Sequence, residues 1–282
     1  MASIVTNFSL KGLTFISNFN KHVMKTVKTL FIALLVVAIS PMATAQTADE
    51  IIANYFENTG GVDAWNAIVS IKSQGKADFG GQIFPFIQTI MKDGRMAIQI
   101  DLQGQTFVPQ AFDGEKQWGT NFQSMKPEAS DDETSTNYKR NEALEFPDPF
   151  LDYAKKGYSV ELLGEETVEG VETYKIKLTK NPILVDGAEE DLFVTYYFDK
   201  ENFVPIMQEA TLPSGPQKGT AVQTLFSDYQ ELGDIYFPYT IAVKFNGQVA
   251  QSISIETMEV NSEIDDALFK MPETEAVVEK KE

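Results

Sequence analysis

Residues 92–102 read Lys92-Asp93-Gly94-Arg95-Met96-Ala97-Ile98-Gln99-Ile100-Asp101-Leu102 and carry two signals at once. Met96, Ile98, Ile100 and Leu102 are apolar and alternate with Ala97, Gln99 and Asp101, the period of a strand with one greasy face. Asp93-Gly94 just before them is hairpin-turn chemistry. Moving outward, the same grammar recurs: Asp113-Gly114, Glu169-Gly170, Asp199-Lys200-Glu201-Asn202 and Asn246-Gly247 each separate two apolar-alternating runs. The predicted strands are 70–79, 82–92, 95–103, 106–113, 116–121, 158–167, 171–179, 192–199, 204–211, 220–230, 236–246 and 249–260. Neighbours joined by short turns must run antiparallel, and no helical crossover is available to make a parallel sheet. The chain is therefore expected to be mainly β, as one large sheet, a barrel or a sandwich.

Helical periodicity occurs in few places. Thr47-Ala48-Asp49-Glu50 is a capping box, after which Ile51, Ile52, Tyr55 and Phe56 fall on one face, and Gly60-Gly61 stops the helix. A second short piece, 62–68, contains Trp65. The meander is interrupted once, over 125–157. There 130–141 is polar and predicts a mobile segment, whereas Asp148, Pro149, Lys155-Lys156 and Gly157 are the N-cap, first-turn proline, basic last turn and terminator of a short helix. No linker divides the body, so 46–272 is expected to be one domain and the charged stretch 273–282 a disordered tail.

The front of the chain is of another kind. Its first 45 residues hold four lysines and no acid, and Met24-Lys25-Thr26-Val27-Lys28 leads into an apolar run from Leu30 to Ile39, then Ala43-Thr44-Ala45. That order predicts a signal peptide over 24–45, with 1–23 an upstream extension preceding the true start. Ten apolar residues are too few to span a bilayer, which takes about 20. The mature chain would carry 19 basic and 41 acidic residues, net −22. A surface so negative repels phosphates and argues against nucleic acid as a partner.

The chain has no cysteine, and its one histidine, His22, lies in the upstream extension. The mature protein can hold no thioether lipid anchor, no disulfide, no zinc or haem site of the usual kind and no Ser-His-Asp or Cys-His nucleophile. Phosphate-cradling glycine motifs and a Gly-x-Ser-x-Gly elbow are also missing. No catalytic residue, metal or cofactor is expected. The acidic clusters Asp131-Asp132-Glu133, Glu165-Glu166, Glu189-Glu190-Asp191 and Asp265-Asp266 all fall in predicted loops or at turn edges, where a solvated surface explains them better than a hydrolase or calcium site. Arg95, at a hairpin rim, reads as an exposed turn residue before it reads as an anion ligand.

Large apolar residues crowd the strands: Phe84, Phe86, Met91, Met96, Phe107, Phe112, Trp118, Phe122, Tyr174, Tyr196, Phe198, Phe226, Phe237 and Phe245. They serve either a sheet folded onto itself as packed core or a concave face only partly filled, and periodicity alone does not choose between these.

Particular residues resemble a family. Ala48-Asp49-Glu50-Ile51-Ile52 with Tyr55 and Thr59-Gly60-Gly61, then Ala64-Trp65-Asn66 and Ile71-Lys72-Ser73-Gln74-Gly75, are similar to the opening of LolA-like, outer membrane lipoprotein-sorting-protein-like proteins. So are Gln110-Ala111-Phe112-Asp113-Gly114 with Trp118, Tyr174-Lys175-Ile176-Lys177-Leu178, Phe226-Ser227-Asp228-Tyr229 with Phe237-Pro238, and Ile264-Asp265-Asp266-Ala267-Leu268-Phe269-Lys270-Met271-Pro272. The resemblance implies a single antiparallel half-barrel with short helices covering its concave face. It also implies a soluble periplasmic carrier, without enzymatic activity, for a lipid or an acylated lipoprotein, with a place in outer-membrane lipoprotein sorting. On that arrangement Phe84, Phe86, Met96, Ile98, Ile100, Phe112, Trp118, Tyr174, Ile176, Tyr196, Phe198 and Phe226 would line the ligand cavity. Ile51, Tyr55, Phe56, Phe150 and Leu151 would form the lid. The alternative is an envelope sensor or adaptor that uses the same fold to bind a protein partner. The inward arginine that holds the lid in the best-understood carriers has no clear match in Arg95.

Overall fold

The computed structural model describes residues 46–215 and 217–273. Residues 1–45, where an upstream extension and a signal peptide are expected, and the tail beyond Glu273 lie outside the described residues.

Three helices punctuate the described chain: α1 (Ala48–Asn58), α2 (Val62–Asn66) and α3 (Asp132–Arg140). The strands are β1 (Ser70–Phe79), β2 (Gln82–Met91), β3 (Met96–Leu102), β4 (Gln105–Phe112), β5 (Gln117–Thr120), β6 (Pro127–Ala129), β7 (Ser159–Val168), β8 (Val171–Thr179), β9 (Ile183–Val185), β10 (Ala188–Glu190), β11 (Phe193–Asp199), β12 (Pro205–Thr211), β13 (Ala221–Leu232), β14 (Ile235–Phe245) and β15 (Gln248–Val260). Thirteen of them form one sheet in the order β6-β5-β4-β3-β2-β1-β15-β14-β13-β12-β11-β8-β7, antiparallel throughout; β9 and β10 pair apart as a small ribbon. The order does not return on itself. The sheet is an open half-barrel with β6 and β7 at its edges.

Its middle is a seam between chain ends, because β1 pairs with β15 from Ile71↔Val260 to Asp78↔Ser252. A bulge interrupts this ladder at Gln74/Gly75. There β15 comes so near that a Cβ on Gly75 would lie 2.1 Å from the Ser254 carbonyl oxygen, a separation only glycine permits.

The capping box at Thr47 is present: its hydroxyl accepts from Glu50 N–H at 3.2 Å and Glu50 Oε2 accepts from Thr47 N–H at 2.9 Å. Two expectations for the interruption need correcting. Within the polar stretch 130–141, Asp132–Arg140 is helix α3, because Asp131 Oδ1 caps Thr134 N–H at 2.6 Å and Asn137 exchanges hydrogen bonds with the Leu184 backbone at 2.7 and 2.8 Å. The helix expected from Asp148 shrinks to a turn followed by a single 3-10 turn, Tyr153–Lys156, because Asp152 adopts φ 53°, a left-handed conformation no helix can run through. Gly157 does terminate it, at φ 85°.

Candidate functional site

Strand register divides the sheet's side chains between two faces. The face that carries α1 is filled over β7, β8 and β11 and at the β13–β14 turn. Ile51, Ile52, Tyr55 and Phe56 of α1, with Trp65, Phe150 and Leu151, pack on Ile176, Leu178, Val194, Tyr196, Phe198, Leu232 and Ile235. The contact is dense: ring centroids of Phe150 lie 4.8 Å from Tyr196 and 5.2 Å from Phe198, and Tyr55 lies 5.8 Å from Phe198. Tyr174 sits at the margin, stacked on Phe203 at 6.0 Å. Protein side chains thus occupy the place a guest would take against Ile176, Tyr196 and Phe198.

A polar fastening lies under the same cover. Asp148 accepts from Tyr55 Oη–H at Oδ2 and from Phe150 N–H at Oδ1, both at 2.8 Å. Burial pushes the Asp148 carboxyl up to about 6, although both hydrogen bonds and nearby Lys156 pull the other way. Lys156 Nζ donates to the Asp148 carbonyl at 2.7 Å, and burial lowers its pKa. Asp148 thereby ties the segment after α3 to helix α1.

Away from α1 the same face is different. Two rows of directly opposed residues run across it. One is Phe226↔Ile241↔Ile253↔Ala77↔Phe84, and the other is Ile255↔Gly75↔Phe86↔Ile100↔Phe107. Phe84 and Phe86, two apart on β2, join them on one face. From β13 to β4 the strip crosses six strand spacings, about 29 Å at about 4.8 Å each. Apart from Phe86, which is buried, and Ala77, its apolar side chains are partly accessible, and among the described residues Phe84, Ile100, Phe107, Phe226, Ile241, Ile253 and Ile255 belong to none of the buried core clusters.

The sequence-derived cavity residues therefore separate. Phe84, Phe86, Ile100 and Phe226 lie together on the open strip, with Ile98 at its border. Met96 and Phe112 are sealed under Tyr138 of α3, whose ring centroid is 4.6 Å from that of Phe112. Trp118 is on the opposite face, in a cluster with Ala97, Ala111 and Phe269, and donates Nε1–H to the Phe269 carbonyl at 2.7 Å. Ile241, Ile253 and Ile255 belong to the strip but were not among the residues singled out from sequence; their i, i+2 alternation on β14 and β15 was the available signal.

The charged groups are engaged locally. Arg95 pairs with Asp93 at 2.9 Å and Asp266 at 2.7 Å and lies over the Phe269 ring, so its guanidinium fastens the C-terminal segment. Glu166 pairs with Lys175, Glu165 with Lys200, Glu189 with Arg140 and Glu190 with Lys218, while Asp131 and Asp265 cap turns of helix. Among the described residues no cluster of acidic side chains is arranged to hold a metal ion, and no helix is long and apolar enough to cross a membrane.

No family model and no curated protein matches the sequence. Solved structures similar to the chain include a LolA superfamily protein from Nitrosomonas europaea, at 13% identity over 80% of this chain and 98% of that one, TM-score 0.49. Another is a domain assigned to an outer membrane lipoprotein-sorting protein of Vibrio parahaemolyticus, at 10% identity over 78% and 94%, TM-score 0.49. A third is the lipoprotein LppX of Mycobacterium tuberculosis, at 11% identity over 77% and 98%, TM-score 0.29. The likeness is one of fold alone, at low sequence identity.

Proposed function

We propose that the chain is an exported, non-enzymatic carrier that binds the hydrocarbon chain of a lipid or acylated lipoprotein along the open strip of its half-barrel and holds it in the periplasm. The observation that carries this reading is the pair of cross-strand rows from Phe226 to Phe84 and from Ile255 to Phe107, an apolar surface that the core clusters leave out. Burial against such a surface stabilises a bound chain by about 0.8 kcal/mol per methylene, so two methylenes change affinity roughly tenfold. Recognition by hydrocarbon length needs no charged ligand group, in keeping with the local engagement of Arg95.

Mass spectrometry of lipid co-purifying with the exported protein tests this. Stoichiometric acyl species are expected with the wild type and with Gln99→Asp, whose side chain is on the other face. They should be lost from Ile100→Asp while circular dichroism still reports a folded sheet. Equal retention by wild type and Ile100→Asp would remove the strip as the binding surface.

A further inference from the structure

We propose that the strand ends beside the strip form a docking surface for a zwitterionic lipid bilayer. In a chain with 23% charged residues and formal net charge −18, the runs 79–91, 102–112, 117–125 and 245–255 contain no Asp, Glu, Lys or Arg. Register brings three of their loops to one end of the sheet: the β1–β2 turn after Phe79, the β3–β4 turn after Leu102 and the β14–β15 turn after Phe245. The β5–β6 loop joins them, because a cleft of about 610 Å³ is lined by Ile83 and Phe84, by Leu102 and Gln105, and by Phe122 and Met125, with Asp101 its one charged residue.

These loops present apolar side chains to solvent. Phe122 is 74% exposed, Ile83 and Val249 59% each and Phe79 42%. Phe122 leans on Phe107 and Phe79 on Phe84, with ring centroids 6.0 and 6.1 Å apart, so the exposed aromatics continue into the strip. Polar side chains of the turns are bonded to their own backbone at the surface, and Asp101 is exposed there. Asp78 Oδ1 accepts from Gly81 N–H at 2.6 Å, Asp101 Oδ1 from Gly104 N–H at 2.5 Å, and Asn121 Oδ1 from Gln123 and Ser124 N–H at 2.9 and 3.0 Å.

A contiguous exposed apolar rim marks a contact surface. Its composition of phenylalanine and aliphatic tips among Gln, Asn, Ser and Gly suits the interfacial layer of a bilayer, where binding grows with buried apolar area and, for basic segments, with attraction to anionic lipid. The second contribution is missing here. The acidic body repels a negative surface, Asp78 and Asp101 add charge of the same sign at the rim, and the single lysine of its loops, Lys126, offsets little of this, so the favoured surface is a neutral one. The rim also sets the mouth of the strip against the membrane, where an acyl chain could pass without crossing water.

Co-sedimentation of the purified protein with phosphatidylcholine vesicles, and with vesicles one part in three phosphatidylglycerol, tests the proposal. Binding is expected to the first and weaker binding to the second. Phe122→Ser should lower partitioning about tenfold, the scale of withdrawing one phenylalanine from an apolar layer. Ile83→Ser should lower it as well, and Val171→Ser, at the other end of the strands, should not. No binding to phosphatidylcholine, stronger binding to the anionic vesicles, or equal partitioning of Phe122→Ser and wild type would each overturn it. The acyl-retention measurement on Ile100→Asp is separate, so failure of the carrier reading leaves the vesicle result standing, and the reverse.

Discussion

Replacing Asp148 by Asn probes whether the cover over the filled half of the sheet is fastened by a carboxyl that prefers its proton. In the folded protein that carboxyl titrates near 6, raised by burial from the ordinary 3.8, while it holds Tyr55 and the Phe150 amide. A difference of about two units corresponds to about 3 kcal/mol, at about 1.36 kcal/mol per unit. Because the folded value is the higher, the native state keeps this proton after the unfolded chain has lost it. The contribution is complete below pH about 4 and is lost as pH rises through about 6. Asparagine does not titrate and retains a carbonyl for Phe150 N–H. The stability of the variant relative to wild type should therefore rise by up to about 3 kcal/mol between pH 4 and pH 7 and then level off. Urea unfolding at a series of pH values measures this. Glu142, raised by burial, and Asp131 and Asp266, lowered by hydrogen bonds, titrate in both proteins and cancel in the difference. A difference that is flat with pH, or that falls, would refute the assignment.

Two other substitutions test the packing. Phe150→Ala removes a ring that is 1% exposed and wedged against Tyr196 and Phe198, and should cost about 3–5 kcal/mol in urea unfolding. Trp118→Phe keeps an aromatic ring but loses part of the indole volume and leaves the Phe269 carbonyl without its 2.7 Å donor, and should cost about 1–3 kcal/mol while acyl retention is unchanged, since Trp118 faces away from the strip.

Most of the sheet was legible because a period of two survives in single strands, as from Met96 to Leu102, and because Asp-Gly and Asn-Gly turns force antiparallel neighbours. Helix α3 was not. Its residues show no apolar stripe; only Ser135 and Tyr138 are buried, and its place is set by Asn137 and Glu133 bonding the β9–β10 ribbon backbone. The cap at Asp131, acids in the first turn and Lys139-Arg140 in the last were the faint local signs. For the site, alternation found Phe84, Phe86 and Ile100 but could not say which stretches a helix would cover. Phe198 and Phe84 look alike in sequence; only the approach of α1 and Phe150 makes one core and leaves the other accessible. Trp118 lies on a strand of four residues, too short for parity to reveal its side.

The seam between β1 and β15 has a consequence for how the molecule comes into being. One wing of the sheet consists of strands from the first part of the chain and the other of strands from the last, and they are stitched by partners such as Ile71 and Val260. During synthesis the early wing must wait with its β1 edge bare until the last strand emerges, a long-range closure that is slow and leaves an open template for other chains. A chain so ordered profits from an escort that keeps it extended until its final strand is available.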